Sequence, residues 1–221
     1  MMAIPEVEII EKKVCYDGFF RIERYRLRHR LFNGSWSSEI VRELFERGHA
    51  AAVLPYDPVR DEVVLIEQFR VGALSAPGGP WLTEIVAGVI DADETTEDVV
   101  RREAIEEAGC TIAELIPICD YLVSPGGTSE IISLYCGKVD ATGVGGIHGL
   151  HEENEDIKVI AMPFGKALSL LNSGRINSAS PIMAMQWLAL NHHRVRTQWT
   201  KNDWRSQEYD TQVTGRFPLA E

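Results

Sequence analysis

No part of this chain is apolar for long enough to cross a bilayer: a spanning helix takes roughly 18 or more consecutive apolar residues, and no such run occurs. The opening stretch, MMAIPEVEIIEKK, lacks the apolar core of a secretory signal, so the expectation is a soluble, cytoplasmic protein with no membrane partner. Cysteine is sparse. Cys15, Cys110, Cys119 and Cys136 form no C-x-x-C pair and follow no regular interval, and each has apolar neighbours, which predicts buried free thiols rather than disulfides or a zinc site. Histidine offers no H-x-x-x-H pair, and His49, His148 and His151 read as surface or packing residues. Neither a G-x-S-x-G nucleophile elbow nor a Walker-type phosphate loop is present. Positive charge is short as well. The 22 Lys and Arg stand against 33 Asp and Glu, and the formal net charge of −11 argues against nucleic acid or an anionic membrane as partner. A phosphorylated substrate would be repelled too, and would need cations and local arginines to hold it.

The 221 residues, 45% of them hydrophobic, suffice for one large domain or one domain with a smaller companion. The most informative segment runs from Gly88 to Cys110, GVIDADETTEDVVRREAIEEAGC. It fits the pattern G-x5-E-x7-R-E-U-x-E-E-x-G-U, with U small or apolar, at the anchors Gly88, Glu94, Arg102, Glu103, Glu106, Glu107 and Gly109. Thr95 and Asp98 form a T-x-x-D helix start and Gly109 a left-handed stop, which predicts a helix of about three turns. At roughly 100° per residue, Glu103, Glu106 and Glu107 fall within one arc, while Val100, Ala104, Ile105 and Ala108 fall on the other side and pack inward. Carboxylates three and four residues apart repel one another and raise one another's pKa, a cost that a divalent ion removes. Oxygen ligands of this kind suit Mg²⁺, with Mn²⁺ as a substitute. An isolated E-x-x-E-E is more often a solvated helix face; Gly88, Glu94, Arg102 and Gly109 at their spacings favour the metal site.

Around this segment the chain reads as a mixture of strands and helices without strict alternation. The predicted fold class is α/β (α+β): a mixed sheet sandwiched between helices, with a small N-terminal antiparallel unit. From Val7 to Glu46, arginines 24, 26, 28 and 30 alternate with Tyr25, Leu27, His29 and Leu31, and Asn33-Gly34 reads as a two-residue hairpin turn. The arginine face is either solvated or set against acidic surface or phosphate. Strands follow at AAAVLPYD, EVVLIEQFR, WLTEIVAG, Ile112 to Val123, IISLYCGKV and IKVIAMPF, with ATGVGGIHGLHEENED as a polar loop. KALSLLNSG is a short helix, and a last helix runs from Pro181 to about His193. The expected organisation is residues 1–47 as the antiparallel unit, 48–195 as the main domain and 196–221 as a loosely docked or disordered tail. No internal repeat is present.

The anchored segment is similar to the Nudix box, and the chain from about Val14 to about His193 resembles the Nudix hydrolases of the bacterial ADP-ribose pyrophosphatase group. The segments GFFRIERYRLRHRLFNG, RELFERGHAAAVLPYDPVRDEVVLIEQFR, SPGGTSE, GIHGLHEENEDI and MAMQWLAL carry the likeness, with Pro125 at the position that marks that group. The resemblance implies hydrolysis of the pyrophosphate bond of ADP-ribose to AMP and ribose 5-phosphate; GDP-mannose or another nucleoside diphosphate sugar is the alternative substrate, and a non-hydrolytic ADP-ribose sensor a further one. It implies two or three Mg²⁺ ions on the Ala87 carbonyl, Glu103 and Glu107, with Glu155 near the metals. Glu106 adds to the metal site or its hydrogen bonds, and Arg102 pairs with Glu94 or Glu106 to fix their rotamers. Glu153, in the acidic loop, matches the general base. Phe19 matches an adenine-stacking face, Arg42 and Arg70 match phosphate or adenine-side contacts, and Ser124, Gly126 and Glu130 belong to the substrate loop. The same resemblance implies a homodimer that exchanges its N-terminal sheet, so that Phe19 and Arg42 serve the partner's site.

Overall fold

The structure is a computed structural model that describes residues 6–150, 152 and 154–200. The chain divides into two compact units, the first formed by residues up to His49 together with Leu122–Ile131, the second by Ala50–Tyr121 with the residues from Ile132 on.

The first unit is a three-stranded antiparallel sheet of β1 (Val7–Asp17), β2 (Arg21–His29) and β3 (Ile40–Glu46), in that order. Three of its four alternating arginines are answered from within the unit. Arg28 lies opposite Glu8 in the β1–β2 register and meets its carboxylate at 2.6 Å, Arg30 meets Glu6 at 2.8 Å and Arg26 meets Glu39 at 3.0 Å. These exposed pairs contribute at most about 1 kcal/mol each, but they offset the charge of three of the four arginines. The Asn33-Gly34 turn departs from expectation. The Gly34 N–H donates to Leu31 O and the Leu31 N–H to Ser35 O, with Gly34 at φ +83°. The tight turn is therefore Leu31–Gly34, its central residues Phe32 and Asn33, with glycine taking the left-handed position after it. Cys15 on β1 is exposed, against the expectation of burial; all four cysteines are free.

The second unit is built on β4 (Ala50–Asp57), a strand buried on both faces. Its partners are β5 (Glu62–Phe69), β7 (Val86–Val89) and, in parallel, β9 (Ile131–Lys138). With β6 (Trp81–Glu84), β8 (Glu114–Leu122), β10 (Gly145–His148) and β11 (Ile157–Pro163) this makes an eight-stranded mixed sheet whose main path is β10-β11-β5-β4-β9-β8. Period-2 alternation sends Ala52, Leu54 and Tyr56 to one face and Ala51 and Val53 to the other, each face carrying its own apolar cluster. Helix α1 (Thr96–Ala108) covers the second face; α2 (Phe164–Asn172) and α3 (Ala179–Thr200) cover the first. The predicted sandwich is the fold observed.

β4 and β5 pair only beside their turn, at Tyr56–Val63 and Asp57–Glu62, and then part. The single predicted strand WLTEIVAG splits to serve both: β6 pairs with β5, the chain crosses at the buried Ile85, and β7 pairs with β4. Glu84 thus lies on one branch of the sheet and Ala87 on the other. Two further elements differ from expectation. The polar loop contains β10, paired with β11. Helix α3 continues to Thr200, and Trp199 is buried at 5% exposure against Tyr56, with ring centroids 6.4 Å apart. The remainder of the expected tail lies outside the described residues.

Asp61, at φ +59° in the β4–β5 turn, fastens α3. Its carboxylate accepts from Tyr56 Oη at 2.8 Å, lies 2.6 Å from His192 Nε2 and 3.4 Å from Arg196. Burial opposes its ionisation, but the hydrogen bonds from His192 and Tyr56 outweigh that and hold its pKa below the ordinary value.

Candidate active site

Helix α1 has the ends its sequence predicts. Thr95 is the N-cap in a reciprocal capping box with Asp98, and Gly109 closes the helix at φ +62°. The rotation of the helix differs from the predicted one. Val100, Ala104 and Ala108 pack inward, but Ile105 is 57% exposed, and Val99 and Glu107 are buried in its place. The carboxylate stripe is therefore turned partly into the protein, against β7, rather than held outward.

Two carboxyl groups bear the consequence. Glu107 is 3% exposed and accepts from the Ala87 N–H at 2.9 Å. Burial pushes its pKa up to about 8, and the charges of Glu103 and Glu155 add to the rise, against the Ala87 N–H and Arg70, which lower it. Glu103 is raised as well, first by burial and then by Glu106 and Glu155, with Arg102 opposing. Gly88 makes room for Glu103: a Cβ at that position would overlap the Glu103 carboxyl.

Arg102 organises the rest. It grips Glu94 with two hydrogen bonds, Nε to Oε1 at 2.8 Å and Nη2 to Oε2 at 3.0 Å, and its Nη1 reaches Glu103 at 2.8 Å and Glu106 at 3.0 Å. The first of these bonds holds the Glu94 pKa down. One guanidinium thus ties the loop before the helix to two carboxylates on it, the pairing the sequence predicts with Glu103 added.

Among the described residues no three acidic, histidine or cysteine side chains already converge as a metal cage, because Glu103 and Glu106 turn to Arg102 and Glu107 to the Ala87 amide. The donor set nevertheless suits a hard divalent cation. It consists of oxygens only, and two of the carboxyls resist ionisation because burial outweighs the opposing charges of Arg102 at Glu103 and Arg70 at Glu107, a cost that a bound cation removes. Glu155 is close enough for its charge to act on both. Its loop is fixed to α1 at its root: the Gly149 N–H donates to Glu106 O at 3.2 Å, and the His148 ring rests where a Cβ of residue 109 would stand, 2.6 Å from Cε1. Glu153 lies outside the described residues.

Arg70 follows β5, and its Nε donates to Glu84 Oε2 at 2.7 Å. The buried Gln68 donates to the same oxygen at 3.4 Å. Sequence reasoning missed Glu84 and Gln68, which stand beside Thr83 and Glu67 in their strands and carry no spacing that marks them. The remaining predicted residues belong to the first unit. Phe19 is 95% exposed, and Arg42, Ser124 and Gly126 are exposed. Glu130 is buried at 4% exposure, 3.4 Å from Arg47 Nε, and burial raises its pKa against the opposing charges of Arg47 and His49.

Comparison with known proteins fits this geometry. The family model described as the NUDIX domain matches residues 46–181, and the chain belongs to the Nudix family. It is 53% identical over 194 residues to the ADP-ribose pyrophosphatase of Escherichia coli (strain K12), covering 88% of this chain and 93% of that protein. It is 40% identical over 200 residues to the ADP-ribose pyrophosphatase of Haemophilus influenzae, covering 89% and 92%. The GDP-mannose pyrophosphatase of Pectobacterium atrosepticum is 32% identical over 185 residues, covering 81% and 92%. A solved structure described as an ADP compounds hydrolase superposes with a TM-score of 0.64 at 19% identity, covering 86% of this chain and 98% of that one, a likeness of fold.

Proposed function

We propose that this chain is a divalent-metal-dependent ADP-ribose pyrophosphatase. In the reaction, a water oxygen forms a bond to one phosphorus of ADP-ribose while the bridging P–O bond breaks, giving AMP and ribose 5-phosphate. The observation that carries the reading is the pair of desolvated carboxyls, Glu103 and Glu107, on a helix whose capping, glycines and Arg102 network match the Nudix box. Identity of 53% over most of the chain to an ADP-ribose pyrophosphatase, against 32% to a GDP-mannose pyrophosphatase, favours ADP-ribose over GDP-mannose.

Mg²⁺ is the proposed ion, with Mn²⁺ as substitute, held by Glu103, Glu107, the Ala87 carbonyl and Glu155. Bound there, it would supply charge neutralisation for the diphosphate and a lowered pKa for a water. The chain's own residues do the rest. Arg102 fixes the Glu94, Glu103 and Glu106 rotamers, Arg70 grips phosphate, and Glu153 takes the proton of the attacking water. Glu153→Gln lowers kcat by about 100-fold or more with metal binding nearly intact; near-normal turnover would remove Glu153 from the mechanism. We further propose a cytoplasmic homodimer in which Phe19 stacks on adenine and Arg42 contacts substrate, with Ser124, Gly126 and Glu130 completing the binding loop. Purified protein incubated with ADP-ribose and GDP-mannose, each with and without Mg²⁺, tests the assignment. Preferential, Mg²⁺-dependent release of AMP supports it; turnover of GDP-mannose alone, or of neither, contradicts it.

A further inference from the structure

Arg70 is tied to the protein in a particular way. Glu84 engages only Nε, at 2.7 Å, and among the described residues neither Nη group makes a hydrogen bond. An arginine held by Nε is fixed in orientation yet keeps the four N–H groups of its fork available for another acceptor. Glu84 is itself well held. Its side chain is 15% exposed, it stands opposite Ile66 in the β5–β6 register, and Gln68 also donates to it. Arg70 is 45% exposed, and its backbone N–H is bonded to Pro80 O. A half-buried carboxylate thus holds a more exposed guanidinium. The charge of Arg70 lowers the Glu107 pKa, and β6, which ends at Glu84, leads directly into β7, whose Ala87 N–H is bonded to Glu107.

We propose that Glu84, supported by Gln68, is the positioning residue for Arg70, presenting the guanidinium fork to the diphosphate of the substrate. The proposal rests on the functional reading above. Glu84 does not touch substrate; it restricts a side chain with several rotatable bonds to the one orientation in which the fork is offered. Its geometry explains why a carboxylate stands close to a site that must bind an anion: Glu84 engages the Nε edge of the guanidinium, and the end-on edge between the two Nη groups stays open.

The test is a double-substitution cycle read as KM and kcat for ADP-ribose with Mg²⁺, alongside Tm. Glu84→Ala raises KM about 10-fold or more with kcat within about threefold, as loss of ground-state binding requires. Glu84→Gln, which keeps an oxygen for Nε, stays within about threefold of the parent in KM. Arg70→Ala matches Glu84→Ala, and the double variant is no worse than Arg70→Ala, because Glu84 acts only through Arg70. Arg70→Lys, which cannot be held by Nε and present a fork, also raises KM, and keeps the test open if Glu84→Ala does not fold. An unchanged KM in Glu84→Ala, or effects that multiply in the double variant, overturns the proposal. Failure of the parent protein to hydrolyse ADP-ribose would instead overturn the functional reading, and calorimetry with ADP would then decide the positioning role: equal affinity losses in Arg70→Ala, Glu84→Ala and the double variant uphold it, and an undiminished affinity in Glu84→Ala refutes it.

Discussion

Replacing Glu107 with Gln stabilises the metal-free protein while abolishing its activity. The Glu107 carboxyl ordinarily titrates at 4.5 and is pushed up to about 8 by burial, with the neighbouring charges of Glu103 and Glu155 adding to the rise. For a group whose folded pKa is raised, the folded state binds the extra proton between the two values. Stability is therefore highest below about 4.5 and declines as pH rises toward 8, where it levels. At pH 7.5 the ionisation deficit is roughly 4 kcal/mol, an upper figure because relaxation and water entry reduce it. Glutamine carries no charge to desolvate, and its oxygen can still accept from the Ala87 N–H. Urea unfolding in the presence of a chelator, at intervals from pH 5 to 8.5, should show the two proteins diverging with pH, Glu107→Gln the more stable by some kcal/mol at the upper end. Added Mg²⁺ should close the gap by stabilising the parent alone. Parallel stability curves for the two proteins would refute the reasoning, since burial of Glu107 could not then be what sets its titration.

Gly88→Ala should fold with a Tm close to the parent's, because the new Cβ meets the movable Glu103 carboxyl rather than backbone, yet it should lose most of its ADP-ribose turnover; full activity would dissociate Glu103 from the chemistry. Gly109→Ala should cost about 1–2 kcal/mol in urea unfolding for its left-handed backbone, plus the displacement of His148. His148→Ala in that background should recover the second part only, and additive losses would exclude the contact. Trp199→Ala should destabilise by about 3 kcal/mol or more, as loss of a buried aromatic does, and a change within 0.5 kcal/mol would mean that the end of α3 contributes nothing to the core.

Features written in local chemistry were legible in the sequence. The bounds of α1 follow from Thr95, Asp98 and Gly109, and the Arg102 network from spacings of one, four and eight residues. The rotation of α1 was not legible: counting glutamate as polar places the apolar arc over Ile105, and only the Ala87 amide, far along the chain, gives Glu107 a reason to be inside. The division of WLTEIVAG was hidden for a similar reason, since its alternation is continuous and the split arises from β4 and β5 parting after their turn. The extent of α3 depends on Tyr56 and Asp61, more than 130 positions away, which no local periodicity encodes. Glu84 stayed unseen because a single acid in a strand carries no spacing to match.

Release of AMP from ADP-ribose, followed with and without Mg²⁺ for the parent protein and for Glu103→Gln/Glu107→Gln, bears most directly on the claim that α1 holds cations against a diphosphate. Mg²⁺-dependent AMP from the parent, with at least a thousandfold loss (about 4 kcal/mol in the barrier) in the double variant, is the predicted result. Equal AMP release from the two proteins, or release indifferent to Mg²⁺, would contradict it.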